Sequence, residues 1–161
     1  MELLQLLENG FWSGLAALGF AILFNVPPRT LLAISLLGAS GGIVKNLLTG
    51  IGSDIILASF LGASLIGILS IPVAHKIHSP PLIFSIPAVI PMVPGVLFYR
   101  MMLGLMKIAV KGTDPGMDDV LVETIQLGLK VLFILLALAV GVAVPMLITR
   151  KESAKRIRLK L

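Results

Sequence analysis

The sequence contains no cysteine, only 13 % of its 161 residues are charged, and only two are histidine. The absence of cysteine excludes disulfide bonds, thiolate metal sites and a cysteine nucleophile. The two histidines, His75 and His78, offer little for a metal site, so we expect neither a metal nor a cofactor. The metalloprotease motif His-Glu-x-x-His and the phosphate-binding motif Gly-x-x-x-x-Gly-Lys are also missing, and no enzymatic activity is predicted.

Apolar residues, in contrast, are in large excess. They make up 57 % of the chain before its 16 glycines are counted, and the mean hydropathy is +1.05. A soluble domain contains about 45–50 % apolar residues with glycine included. A water-soluble globule of this size could not bury so much apolar surface, so most of the chain is expected to lie in lipid. The net charge of +5 arises largely from a basic C-terminal tail, which favours a membrane surface over nucleic acid.

Five apolar runs approach the length of about 20 residues that a helix needs to cross a bilayer core. We therefore predict an all-α integral membrane protein with about five transmembrane helices, forming a single transmembrane domain over 1–161. The predicted spans are 10–26, 30–45, 51–74, 82–106 and 126–149, followed by a basic cytoplasmic tail, 150–161. Small residues at helix-packing spacing, such as Gly10 and Gly14 or Gly38, Gly41 and Gly42, are expected to let helices approach closely.

The distribution of basic residues predicts the orientation in the membrane. Five spans place the termini on opposite sides, and a cytoplasmic C-terminus puts eight basic residues inside and five outside, in agreement with the positive-inside rule. We thus expect a multi-pass protein of the inner or plasma membrane with its N-terminus outside. The second span is short, and a re-entrant hairpin over 30–45, with both termini inside, remains an alternative.

The only sizeable predicted loop runs from Lys107 to Gln126. Asp114 and Pro115 have the pattern of a helix start, and Asp118, Asp119 and Glu123 would follow in the first turns, where the helix dipole favours negative charge. These carboxylates form either an acidic vestibule that attracts cations or an amphipathic lead-in to the fifth helix.

The fourth span carries three prolines in eight residues, Pro87, Pro91 and Pro94, followed by Gly95. Each proline removes an amide donor and crowds the carbonyl one turn earlier, so a break near the bilayer midplane is predicted. Discontinuous helices in transporters use such breaks to bind the carboxylate and ammonium groups of amino acids. The alternative is a kinked helix that binds nothing.

Few polar side chains lie within the predicted spans. Asn25 and Tyr99 can hydrogen-bond a hydroxylated substrate without carrying charge. Asp54, Arg100 and Lys45 are candidates for charge coupling, because ionisable residues at membrane depth are frequently functional. Asp54 can pair with Lys45 or simply face water at the end of a span, and Arg100 lies within snorkelling distance of the surface.

Two strings in the sequence resemble the threonine/serine exporter family. They are Gly19-Phe-Ala-Ile-Leu-Phe-Asn-Val-Pro-Pro-Arg29 and Ala88-Val-Ile-Pro-Met-Val-Pro-Gly95. The likeness extends over about residues 10–149 and is greatest to the small, YjjB-like membrane subunit of the two-gene bacterial form. The positions that match the family's motifs are Asn25, Pro27, Arg29, Gly38, Pro91, Pro94, Gly95 and Tyr99.

The resemblance implies secondary export of small polar metabolites, threonine and serine among them, powered by the proton-motive force. It also implies a larger, YjjP-like membrane subunit as partner, in a homo- or hetero-oligomer. From the residues we expect substrate contacts from Asn25, Tyr99 and the backbone of Pro91, Pro94 and Gly95. A scaffold subunit that carries no pathway and a passive small-molecule channel remain alternatives.

Overall fold

The computed structural model describes the backbone of residues 3–111 and 117–158 and the side chains of residues 4–110 and 118–149. All regular structure in these ranges is helical, which confirms the all-α prediction. The helices are α1 (Leu3–Leu23), α2 (Leu31–Gly50), α3 (Ile55–Ile77), α4 (Pro81–Val89), α5 (Gly95–Lys111) and α6 (Met117–Arg158), with 3-10 turns at Pro28–Thr30 and Ile90–Met92.

Within the described residues, four segments are long and apolar enough to cross a membrane: Leu4–Leu23, Pro28–Gly50, Ile55–Ile77 and Asp118–Thr149. Pro81–Met92 and Gly95–Val110 meet the same criterion only as a pair, so the number of candidate spans is four, or five if this pair forms one broken span. The prediction of about five spans, with the fourth broken at its prolines, is confirmed.

The second span is longer than predicted. The sequence placed its end at Lys45, but α2 continues without interruption to Gly50, and Pro28–Gly50 has 23 residues. This segment is one continuous helix and not the re-entrant hairpin that the sequence left open. Its three internal glycines do not break it because Gly38, Gly41 and Gly42 are buried against neighbouring helices, where the missing side chain allows close packing.

The loop predicted from Lys107 to Gln126 is mostly helical. Helix α5 continues to Lys111 and α6 begins at Met117, so both helices extend into the predicted loop. Asp118 and Asp119 lie in the first turn of α6, in agreement with the lead-in interpretation. The predicted helix start at Asp114 and Pro115 lies outside the described residues.

Helices α1, α2 and α3 end in the same way. Asn25, Gly52 and His78 have φ angles of 55°, 90° and 56°, in the left-handed region. After each of them, the next amide donates to a carbonyl five residues back: Val26 to Ala21 at 3.0 Å, Ser53 to Leu48 at 3.0 Å and Ser79 to Ala74 at 3.1 Å. This is the Schellman arrangement, which satisfies carbonyls at a helix end and which most often uses glycine or asparagine.

The chain divides into two compact units, one of Met1–Met92 with Ala137–Leu161 and the other of Val93–Leu136. In the first unit α2 is central and packs against α1, α3 and α4. Ile34, Ile66, Phe84 and Met92 are its largest fully buried side chains. In the second unit Gly104 of α5 faces the Thr124 side chain of α6, so the two helices approach closely there.

Candidate functional site

The first half of the fourth span ends in a 3-10 turn next to its prolines. Helix α4 continues through Pro87 to Val89, and a 3-10 turn over Ile90–Met92 follows. In a continued 3-10 turn the Gly95 amide would reach the Met92 carbonyl, but it donates to the Val93 carbonyl at 2.9 Å. Pro94 has no amide hydrogen to offer. The backbone therefore leaves helical geometry just after Met92.

The Met92 side chain anchors the end of this half-helix in the first unit. Met92 is 2 % exposed. A Cβ atom placed on Gly62 of α3 would lie 2.5 Å from Met92 Cε, and one placed on Gly41 of α2 would lie 3.3 Å from Met92 Sδ. The thioether thus fills space that exists because both helices have glycine there. This packing holds the Met92 backbone against α2 and α3.

Lys45 of α2 binds the carbonyl that the break leaves free. Its Nζ donates to the Met92 carbonyl oxygen at 2.6 Å, and the bond is partly buried. Outside the helices, no backbone amide in the described ranges donates to this oxygen. Lys45 lies one turn after Gly41, so the ammonium comes from the helix face that holds the Met92 side chain. Because lipid offers no hydrogen-bond donor to a carbonyl, the charge-assisted bond from Lys45 replaces the hydrogen bond that a continuous helix would have given to Met92.

Buried hydroxyl groups lie in the 3-10 turn before α2 and on α3 and α4. Thr30, Ser59, Ser70 and Ser85 are fully buried. The Thr30 hydroxyl donates to the Pro27 carbonyl, and the Ser70 hydroxyl donates to the Gly67 carbonyl. Ser59 Oγ and Ser85 Oγ have no hydrogen-bond partner among the described residues. Ser59 precedes Gly62 by three residues on α3, which is a same-face spacing, and Ser85 lies on α4. Unpartnered buried hydroxyls are rare in folded proteins, so the two serines are notable as hydrogen-bonding groups without a partner in the described part of the first unit.

The predicted site residues are only partly brought together. Lys45 and the Pro91–Met92 turn meet in the first unit. Gly95 is exposed at the start of α5, and no atom lies within 4 Å of a Cβ built on it. Tyr99 and Arg100 are exposed on α5 in the second unit. Their role as site residues stays a prediction.

Asn25 and Asp54 lie away from the break. Asn25 is exposed and ends α1 beside the start of α2, whereas Lys45 lies about 20 Å further along α2 at 1.5 Å of rise per residue. Asp54 is exposed at the N-cap of α3, and its side chain makes no capping hydrogen bond. The hydrogen bond made by the Lys45 ammonium goes to a carbonyl and not to this carboxylate.

The sequence interpretation did not identify Met92, Gly62 or Ser85 as site residues. One signal was available: Gly41 and Lys45 are four residues apart, so any residue that packs on the glycine also lies within reach of the lysine. Gly38-Ala-Ser-Gly-Gly42 has the spacing of a nucleophile elbow, but it lies inside α2, and Ser40 Oγ donates to the Leu37 carbonyl at 2.8 Å. An elbow needs a strand-to-helix turn, so this motif is coincidental.

Comparison with known proteins identifies the family. The family described as "Threonine/Serine exporter, ThrE" matches residues 9–148. The chain belongs to the threonine/serine exporter family. This is a family of exporters and not of enzymes, which supports a role of the transporter type, and the candidate spans of the described residues are those of a multi-pass membrane protein.

One curated relative of this exporter-family chain comes from Haemophilus influenzae. This protein, described as "Uncharacterized protein", is 32 % identical over 150 residues, which are 93 % of the chain and 50 % of the relative. The chain thus spans about half the length of this curated relative. No solved structure matches the chain.

Proposed function

We propose that this chain is a subunit of a secondary exporter that moves small polar metabolites, such as threonine, serine or related small acids, out of the cell. Family membership supports the exporter role. The observation that supports the site is the Met92 carbonyl, which lies within the broken span and accepts no hydrogen bond from any described backbone amide outside the helices. The ammonium group of Lys45 binds this carbonyl instead. A broken helix provides carbonyls for an ammonium group and free amides for a carboxylate.

The proposed mechanism is alternating access driven by the proton-motive force. Substrate binds at the break, where the backbone from Pro91 to Gly95 supplies polar groups without charged side chains. Asp54 and Arg100 are the candidates for charge coupling, together with Lys45, which is the one that contacts the break in the first unit. Tyr99 is a further candidate substrate contact.

We further propose that a larger, YjjP-like membrane subunit completes the exporter. The length of the curated relative supports this arrangement, because the matched region makes up only half of that protein. An inner-membrane location with the C-terminus in the cytoplasm is supported by the basic residues at one end of the first unit. Arg29 Nη2 lies 3.5 Å from Ser79 Oγ, and Ser79 follows Lys76 by three residues. Arg29 and Lys76 therefore lie at the same end of the first unit, and by the positive-inside rule this end is expected to face the cytoplasm.

Efflux from living cells tests both the function and the site. Cells that lack the gene are complemented with wild type, with the Pro94→Ala and Gly95→Ala double variant, or with Pro72→Ala, and are preloaded with labelled threonine or serine. The double variant restores an amide at 94 and a helix former at 95, so the helix can close and engage the Met92 carbonyl. Pro72 is the matched control, because α3 continues unbroken through it.

We expect the double variant to insert normally but to release substrate as slowly as the deletion strain, and Pro72→Ala to release it at the wild-type rate. A protonophore should reduce wild-type efflux to the level of the deletion. Unchanged efflux from the double variant would contradict the site. A defect in complex assembly alone would indicate a scaffold, and efflux insensitive to the protonophore would indicate a passive channel.

A further inference from the structure

The contact between Lys45 and Met92 has the chemistry of a substrate contact. A primary ammonium group on a flexible stem donates to a main-chain carbonyl at 2.6 Å. An amino acid presents the same group, with three donors and no acceptor. The carbonyl of the break is therefore already occupied by a group that resembles the ammonium end of the proposed substrate.

We propose that Lys45 is a tethered competitor for the substrate: its ammonium occupies the Met92 carbonyl in the empty transporter and leaves when the ammonium group of a transported molecule binds there. The inference rests on the proposed function, because it takes the break as the binding site. It specifies the ligand class as small molecules with a free primary ammonium group. Molecules in which that group is acylated are excluded.

The packing of the first unit makes exchange at this carbonyl feasible. The Met92 side chain is held between Gly41 and Gly62, so the carbonyl keeps its place when Lys45 withdraws. The lysine is only half-buried and has a long flexible stem, so its ammonium can move toward water. Two cations at one oxygen repel each other, which makes their occupancy exclusive.

The return of Lys45 would also reset the site. Without lysine or substrate the Met92 carbonyl would be unsatisfied in a span, which is costly in lipid. Lys45 removes this cost in the empty state and favours release of the substrate by competing for its contact.

Ligand binding to the purified full-length chain in lipid nanodiscs tests the exchange. Binding is measured by the shift of the thermal unfolding midpoint with threonine, with ethanolamine, which keeps the ammonium but lacks the carboxylate, and with N-acetylthreonine, which lacks the ammonium. The variants are Lys45→Met, Lys45→Arg and, as a matched control, Lys130→Met, which removes an exposed lysine of α6.

A ligand that binds only when Lys45 has left is weakened by the fraction of time for which the lysine is absent. Lys45→Met should therefore bind threonine and ethanolamine on the order of tenfold more tightly than wild type. Lys45→Arg retains a competing cation and should bind them no more tightly than wild type, as should Lys130→Met. N-acetylthreonine should not bind any of the variants. Unchanged or weaker binding of ammonium ligands to Lys45→Met would overturn the proposal, as would tight binding of N-acetylthreonine.

A second measurement needs no variant. Lys45 of the wild type is acetylated with an amine-reactive reagent and the modification is quantified by mass spectrometry. Threonine should increase the labelling of Lys45 relative to that of Lys130 in the same sample, because substrate displaces the Lys45 ammonium, whereas the reagent that free threonine consumes lowers both labels alike; N-acetylthreonine should leave this ratio unchanged. A fall in the labelling of Lys45 relative to Lys130 would show that substrate covers the lysine and would overturn the proposal.

The outcomes separate this inference from the proposed function. If ethanolamine binds Lys45→Met more tightly and cells export neither threonine nor serine, the exchange stands and the proposed substrates fail. If cells export both amino acids and Lys45→Met binds them no more tightly than wild type, the function stands and the exchange fails.

Discussion

Asn25 adopts a left-handed backbone conformation, and this conformation explains why asparagine stands at the end of α1. The amides of Asn25 and Val26 donate to the carbonyls of Ile22 and Ala21 at 2.9 and 3.0 Å. Asparagine tolerates this conformation better than other residues with side chains. The Phe-Asn-Val-Pro string thus contains a helix stop, and the substrate contact expected of Asn25 stays a prediction.

Two substitutions at Asn25 separate these roles. Asn25→Gly should retain stability and efflux, because glycine adopts a positive φ freely. Asn25→Val should lower the free energy of unfolding by about 1–2 kcal/mol, because the left-handed conformation is unfavourable for a branched side chain. Unfolding in detergent micelles and efflux of labelled threonine provide the two measurements. A stable Asn25→Gly variant without efflux would contradict the capping account and assign the side chain to substrate.

At the scale of helices, the break was predictable and the length of α2 was not. Proline acts locally, so the spacing of Pro87, Pro91 and Pro94 was sufficient to place the break where α4 and its 3-10 turn end. A lysine in an apolar run, in contrast, predicts the end of the span unless a group distant in sequence accepts hydrogen bonds from its ammonium. Met92, 47 residues away in sequence, supplies that group, which the sequence of α2 alone could not reveal.

Close packing of α1 on α2 depends on which glycine faces the neighbouring helix. A Cβ atom on Gly14 would lie 2.9 Å from the Ser35 carbonyl oxygen and 3.2 Å from Ala39 Cβ, whereas one on Gly19 would have no atom within 4 Å. Gly14→Ala should therefore lower the free energy of unfolding by about 1–3 kcal/mol, the usual cost of overpacking.

Gly19→Ala is the matched control on the same helix. It should leave stability unchanged or raise it by up to about 1 kcal/mol, because alanine favours the helix more than glycine does. Reversible unfolding in mixed micelles measures both variants. Equal effects at the two positions would contradict the packing of α1 on α2 through Gly14.

At the scale of the whole molecule, the exposed side chains agree with the membrane location that the composition predicts. Large apolar side chains such as Trp12, Leu36, Leu69 and Phe133 are exposed on the helix surfaces, as expected for segments that face acyl chains. The sequence alone was sufficient for the fold class, with about five spans, and for the family, because these depend on composition and short strings. The contact of Lys45 with Met92 depends on tertiary packing around two glycines, and the spacing of Gly41 and Lys45 does not identify Met92 as the partner.

Transport by purified protein in liposomes tests the central claim most directly. The chain and its proposed larger partner are reconstituted together and separately, and the movement of labelled threonine and serine is followed with and without an imposed proton gradient. The account predicts gradient-driven transport that requires both chains and is lost in the Pro94→Ala and Gly95→Ala double variant. Equal transport by the partner alone, or flux that ignores both the gradient and the double substitution, would contradict it.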